Sequence, residues 1–247
     1  ENLNSEVIKN LVSGSRTGAG GTSGGSSSGG GSGSAGGGGN GSSTIKTINK
    51  DIVIKTGKYG PYINYKNKSY DVFYSEKNKI SALSFLSLYK SSKIIVGLNI
   101  EGSNDEKKIS KEDFVKIILG LHSMDNNIII ILLHKPNDRD WISQLIPKEA
   151  SSYVFPSYPT ESVLDLAAII DNLDLIISTD TSIVHMACAF KKPLVAIYRK
   201  HMMLFEIWHP ISDCNYVVFS NYEDSLKSIN VGDIVNKTSK LIKEHKL

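Results

Sequence analysis

Four continuous apolar runs mark the second part of the chain: KIIVGLNI (93–100), NIIIILLH (127–134), LDLIIS (173–178) and PLVAIY (193–198). None alternates polar with apolar positions, which is the pattern of strands covered on both faces. YVFP (153–156) reads as a shorter strand. Helical apolar spacing separates these runs. In SKEDFVKIILGLHSM (110–124), Phe114, Ile117, Ile118 and Leu121 share a face, Ser110 stands as N-cap and acidic residues fill the first turn. KISALSFLSLYK (79–90), TESVLDLAAIIDN (160–172, with Thr160 as its cap), SIVHMACAF (182–190) and VGDIVNKTSKLIKEHKL (231–247) complete the set. Strands alternating with helices predict an α/β fold, a Rossmann-like, mostly parallel sheet with right-handed crossovers. Sheets of that kind bind ligands beyond the carboxyl ends of their strands.

Upstream the pattern changes. DIVIKT (51–56) and YINYK (62–66) flank GKYGP, whose Gly57, Gly60 and Pro61 punctuate a turn. A β-hairpin is predicted, with YDVFYS (70–75) as a further short strand. Residues 14–43 carry 15 of the chain's 21 glycines and no large apolar residue. Such a stretch has much backbone entropy to lose and no surface to bury, so it reads as a flexible, disordered Gly/Ser tether of engineered type. ENLNSEVIKNLVS (1–13) places Val7, Ile8, Leu11 and Val12 on one side of a short amphipathic helix. A docking peptide, a displaced terminal helix and a tag remnant all fit it. The expected division is a peptide (1–13), a linker (14–43), a β-hairpin segment (44–74) and an α/β domain (75–247).

Lysine and arginine number 28 against 25 acidic residues, a net charge of +3. That excess makes no electrostatic footprint for nucleic acid or a membrane. The two cysteines, Cys188 and Cys214, form neither a disulfide framework nor a zinc pattern, and Cys188 reads as a small core residue of its apolar helix. The composition suits a reducing cytosol. No apolar run nears the ~18 residues of a membrane span, and no secretory pattern opens the chain.

The candidate chemistry sits where two of the apolar runs end. LIIS leads into Thr179-Asp180-Thr181-Ser182 and then a helix. Hydroxyls and free N–H groups at a helix N-terminus suit a phosphate. Asp180 would repel phosphate and suits sugar hydroxyls; the plain alternative is that Asp180 or Thr181 merely caps the helix. His185 lies one turn further on, either as a core or helix-end hydrogen bonder or as part of the polar turn. The second strand end runs from KIIVGLNI into EGSNDEKKIS. There Gly102 and Ser103 permit a close loop with a hydroxyl, and Lys107 offers a compact positive charge. A solvated loop with ordinary surface lysines is the alternative. Glu206, Trp208 and His209 are candidates for lining the same cleft and stay outside the catalytic set.

LDLIISTDTSIVHMACAFKKPLVAIY (173–198) resembles the signature of glycosyltransferase family 9, the lipopolysaccharide heptosyltransferases. That signature is an apolar strand, Asp-Thr/Ser-x-x-x-His, a small-residue helix, Lys-Pro and another apolar strand. Asp180, Thr181, His185, Ala187, Ala189, Lys192 and Pro193 match it. GSNDEKKIS (102–110) is similar to the family's hydroxyl-rich loop ending in Lys-x-Trp-Pro, with Ser103 and Lys107 in place and Ile109 and Ser110 where Trp and Pro usually stand. The resemblance runs over about residues 92–210. It implies the C-terminal, nucleotide-sugar-binding half of a GT-B glycosyltransferase over residues 75–247. By the same carry-over, Ser103, Lys107, Thr181 and Ser182 would contact the donor diphosphate. Asp180 would hold the sugar, and His185 would organise the signature loop; these two form the expected catalytic set. The donor would be a nucleotide sugar such as ADP-heptose and the acceptor a lipopolysaccharide core. Transfer would invert the anomeric centre with neither metal nor cofactor. An acceptor-binding domain with the general base would come from elsewhere. The chain would work in the cytoplasm, peripherally at the inner face of the bacterial inner membrane.

DIVIKTGKYGPYINYKNKSY (51–70) also has a limited similarity to a C-terminal repeat of type IA DNA topoisomerases, built around Gly-Lys/Arg-Tyr-Gly-Pro-Tyr. Tyr59 and Tyr62 would stack on single-stranded DNA and Lys58 would neutralise it. A plain hairpin with Gly and Pro at its turn accounts for the same residues. The rival reading of the whole chain is a non-catalytic binding module, or an engineered fusion, in which the tethered peptide and the Tyr-rich hairpin carry recognition.

Overall fold

The computed structural model describes residues 44–47, 52–57, 60–65, 71–89 and 93–247. The expectations for the peptide, the Gly/Ser tether and the turn residues Lys58 and Tyr59 lie outside the described residues. The chain divides into two units, Glu1–Asn67 and Lys68–Leu247.

The first unit holds an antiparallel sheet of β1 (Thr44–Thr47), β2 (Ile52–Gly57) and β3 (Gly60–Tyr65) in that order. Gly57 pairs with Gly60, closing a two-residue connection of the kind that tight hairpins use. The register slips between Thr44 and Lys46, where β1 meets β2.

The second unit begins with a departure from the predicted pattern. Residues 71–75 form no strand, and Ser75 instead caps α1 (Glu76–Ser87) in a reciprocal box with Asn78. The alternation in this segment is real but serves a different contact. Val72 and Tyr74 pack on the core while Phe73 is exposed. The Tyr74 hydroxyl donates to Asp171 Oδ2 at 2.5 Å, and its ring meets Phe190 edge-on. The segment turns one apolar face to the core without joining a sheet among the described residues.

A βα alternation follows: β4 (Ile94–Asn99), α2 (Lys111–Met124), β5 (Ile128–Leu132), α3 (Arg139–Ser143), β6 (Val154–Pro156), α4 (Val163–Asp171), β7 (Leu175–Thr179), α5 (Ser182–Ala189), β8 (Leu194–Tyr198), α6 (Met202–Trp208), β9 (Asn215–Phe219) and α7 (Val231–His245). Ser110 caps α2 as expected, accepting from Asp113 N at 3.1 Å. Helix α4 is capped by Ser162 and not by Thr160, since Ser162 and Asp165 exchange bonds across the first turn while Thr160 is buried before it. Elements α3, α6 and β9 lie outside the predicted pattern.

All six strands pair in parallel in the order β6-β5-β4-β7-β8-β9. Counted within this unit the order is 3-2-1-4-5-6, that of dinucleotide-binding sheets. Strands β5, β7 and β8 are buried at every position, and Ile95, Val96 and Leu98 of β4 are fully enclosed. Helices α2 and α7 pack together, as do α1 and α4. The strand order reverses between β4 and β7, so a crevice opens beyond Asn99 and Thr179. No helix among the described residues is long and apolar enough to cross a membrane.

Candidate functional site

Asn99, the last residue of β4, ties the two strand ends together. It is buried, and its Nδ2 lies 3.1 Å from Ser178 Oγ, 3.2 Å from Thr179 Oγ1 and 3.2 Å from Thr181 Oγ1. The same amide reaches Glu101 O at 3.2 Å, so its two hydrogens are shared among four acceptors. Its Oδ1 accepts from Glu101 N at 3.2 Å. The Thr179 hydroxyl donates to the Glu101 carbonyl, locking the turn after β7 to the turn after β4.

Thr181 is the N-cap residue of α5, yet its side chain makes no capping bond. Its hydroxyl donates to Thr179 O at 3.2 Å instead. In the first turn of α5, Val184 N donates to Thr181 O at 3.1 Å, while the N–H groups of Ser182 and Ile183 before it receive no cap from the Thr181 hydroxyl. Ser182 is exposed on the first turn.

The loop after β4 is held from three sides. Ile109 N donates to Ile100 O at 2.9 Å, closing its base. Leu226 N donates to Glu106 O at 2.9 Å, and Arg199 Nη1 approaches Glu106 Oε2 at 3.8 Å. A Cβ on Gly102 would overlap the carbonyl and Cβ of Lys107, so only glycine lets the two ends of the loop come this close. Ile109 is buried in the core and Ser110 caps α2. The two residues that stand in place of the family's Trp and Pro thus serve as a core plug and a helix cap.

Across the crevice Lys107 Nζ meets Asp180 Oδ2 at 2.9 Å, both side chains about four-fifths covered. This ion pair joins residues taken from the two loops. Of the remaining expected residues, Thr181 belongs to the Asn99 network, and Ser103 is exposed on the loop leading to Lys107. His185 sits one turn into α5 with its ring 6.0 Å from that of Trp208. Burial pushes its imidazole below the usual range; the charge of Asp180 opposes this and His209 adds to it. Trp208 O accepts from Tyr198 Oη at 2.7 Å, which fixes the end of α6 beside the site. Cys188 is buried in α5, as its apolar setting implied.

The sequence reading had passed over Asn99, Glu101, Lys135 and Arg199. Asn99 carried a signal, a polar residue closing an otherwise apolar strand. Lys135 and Glu101 come together only through strand order. Among the described residues, no three His, Cys, Asp or Glu side chains converge in a way that would hold a metal.

The sequence profile of glycosyltransferase family 9 (heptosyltransferase) matches residues 61–237. The chain belongs to glycosyltransferase family 9. The fold agrees with solved members of this family. The E. coli ADP-heptose lipopolysaccharide heptosyltransferase II structure superposes with a TM-score of 0.59 at 17% identity, covering 72% of this chain and 54% of that one. A family 9 glycosyltransferase from Veillonella parvula gives 0.59 at 16% identity over 71% and 54%. E. coli heptosyltransferase WaaC with ADP gives 0.51 at 18% identity over 65% and 48%. The chain thus spans about half the length of the family 9 structures it matches. No curated protein matches it.

Proposed function

We propose that this family 9 chain supplies the donor-binding half of a heptosyltransferase. It would take a nucleoside-diphosphate sugar of the ADP-heptose class and serve transfer to a lipopolysaccharide core acceptor. The observation that carries the reading is the 2.9 Å contact between Lys107 and Asp180, which sets a phosphate-binding cation beside a sugar-binding carboxylate at the reversal of strand order. Lys107, Ser103, Ser182 and the first N–H groups of α5 meet the diphosphate, and Thr181 shapes their turn. Asp180 accepts hydrogen bonds from the sugar hydroxyls. His185, uncharged at neutral pH, orients the turn from below.

In the reaction, the acceptor hydroxyl attacks the anomeric carbon from the face opposite the diphosphate. The bond to the diphosphate oxygen breaks, and the configuration inverts. Positive charge from Lys107 and the helix N-terminus stabilises the departing diphosphate. The reading assigns no metal and no cofactor to this step. The base that takes the acceptor proton belongs to the acceptor-binding half, supplied elsewhere. Work on a lipid-anchored core would place the protein in the cytoplasm, peripheral to the inner membrane.

Calorimetric titration with ADP and with ADP-heptose tests this. The intact chain should bind both, and Asp180→Ala should lose the preference for the sugar nucleotide while keeping ADP. An intact chain that binds neither overturns the reading.

A further inference from the structure

Glu101 is an anomaly of the site. Its side chain is 7% exposed, and Oε2 has no hydrogen-bond partner among the described residues. A carboxylate enclosed with one oxygen unmet is costly unless a nearby cation or a ligand compensates. One such cation is Lys135, just past β5, whose Nζ lies 3.7 Å from Glu101 Oε1, and Lys108 also feels the Glu101 charge. That ammonium also donates to Gly102 O at 3.4 Å. Strand order explains the meeting: β5 lies beside β4, and Leu133 N donates to Leu98 O at 2.9 Å, carrying the next residues to the mouth of the crevice.

Gly102 therefore has a lysine on each side. The backbone and Cβ of Lys107 fill the space that a side chain on Gly102 would need, while Lys135 donates to its carbonyl. The Lys135 side chain remains 46% exposed, so its ammonium retains an open side. An ammonium has three N–H donors. Gly102 O takes one of them, and Glu101 stands at ion-pair distance beyond hydrogen-bond reach, so donors remain for an incoming oxyanion.

We infer that Lys135 is a second cationic contact for the diphosphate of the donor, and that the buried Glu101 carboxylate positions it. The inference rests on the proposed donor-binding function and adds a residue that the family signature does not contain. Lys107 and Lys135 would then grip the diphosphate from both sides of the Gly102–Ser103 loop, each resting on a carboxylate, Asp180 or Glu101, when no donor is bound.

The test is titration of the full chain with ADP and with adenosine, using wild type, Lys135→Met, Lys135→Arg, Glu101→Gln and the Lys135→Met/Glu101→Gln double variant. Melting curves confirm that each is folded. Lys135→Met should weaken ADP by about tenfold, the loss expected for one hydrogen bond between charged groups, and leave adenosine unchanged. Lys135→Arg should recover most of the affinity. The Lys135→Met loss should shrink in the Glu101→Gln background, because an unpositioned lysine has less to lose. An unchanged ADP affinity in Lys135→Met, or an equal loss for ADP and adenosine, overturns the role of Lys135. A loss that stays the same or grows in the Glu101→Gln background overturns the role of Glu101. Wild-type binding of ADP with no selective loss in Lys135→Met overturns this inference alone, whereas wild type that binds no ADP overturns this inference, and the donor-binding reading with it if ADP-heptose does not bind either.

Discussion

Lys107 and Asp180 hold each other across the crevice, and in the proposed function each would meet a separate part of a bound donor. Their roles should separate by ligand. Lys107→Met is expected to weaken ADP by about tenfold or more, the value of a charge-assisted phosphate contact, with calorimetry as the measure. His185 makes a different prediction. Its folded imidazole lies below its unfolded value of 6.5. Between those two values the unfolded chain binds a proton that the folded chain refuses. Stability is therefore full above 6.5 and is lost as the pH falls through the folded value. Melting temperatures from pH 7.5 down to pH 5 should show this loss in wild type and a smaller one in His185→Gln.

At the level of the elements, caps and loop closures matter more than intrinsic helix propensity. Ser162→Ala should lower stability by about 1 kcal/mol, because it removes the acceptor for the first turn of α4. Thr160→Val should leave stability unchanged or raise it, since the buried Thr160 hydroxyl has no partner to lose among the described residues. Chemical denaturation distinguishes the two. This misplaced cap shows where sequence reading runs out. Thr160 and Ser162 both offer a hydroxyl, and the reciprocal bond that Ser162 N donates to the Asp165 carboxylate selects Ser162. The buried strands were legible because burial on both faces removes every polar position from β5 and most of β4, β7 and β8. The Asp180 turn was legible because a polar cluster directly after such a run has few structural explanations. Helix α6 left no signature because it buries no residue, and β9 is a short edge strand in which Val218 alone is fully buried. The Glu101–Lys135 pair was invisible for another reason. Its members are far apart in the chain, and only the adjacency of β4 and β5 brings them together.

For the molecule as a whole, length is the governing fact. The chain covers about half of the family 9 structures that it matches. We expect it to bind donor without transferring sugar. Incubation with ADP-heptose and a lipopolysaccharide core acceptor should release ADP at a rate no higher than without acceptor. Transfer comparable to a full-length enzyme would show that residues of this chain supply the base. Donor binding should also stabilise the fold by about 2.7 kcal/mol when free ligand is about a hundredfold above its dissociation constant, read as a higher denaturation midpoint.

The reversal of strand order also bears on how the chain folds. Strands β4 to β6 assemble through neighbouring crossovers, and so do β7 to β9, but joining the two sets brings Asn99 to Ser178, 79 residues away. Pairing across so long a loop is entropically slow, so this seam should be the last part of the sheet to zip and the first to part. The nucleotide would lie directly over it. A bound donor would act as a stitch, and amide hydrogen exchange at Leu98, Asn99, Ser178 and Thr179 should slow on ADP addition more than exchange in the helices on either side.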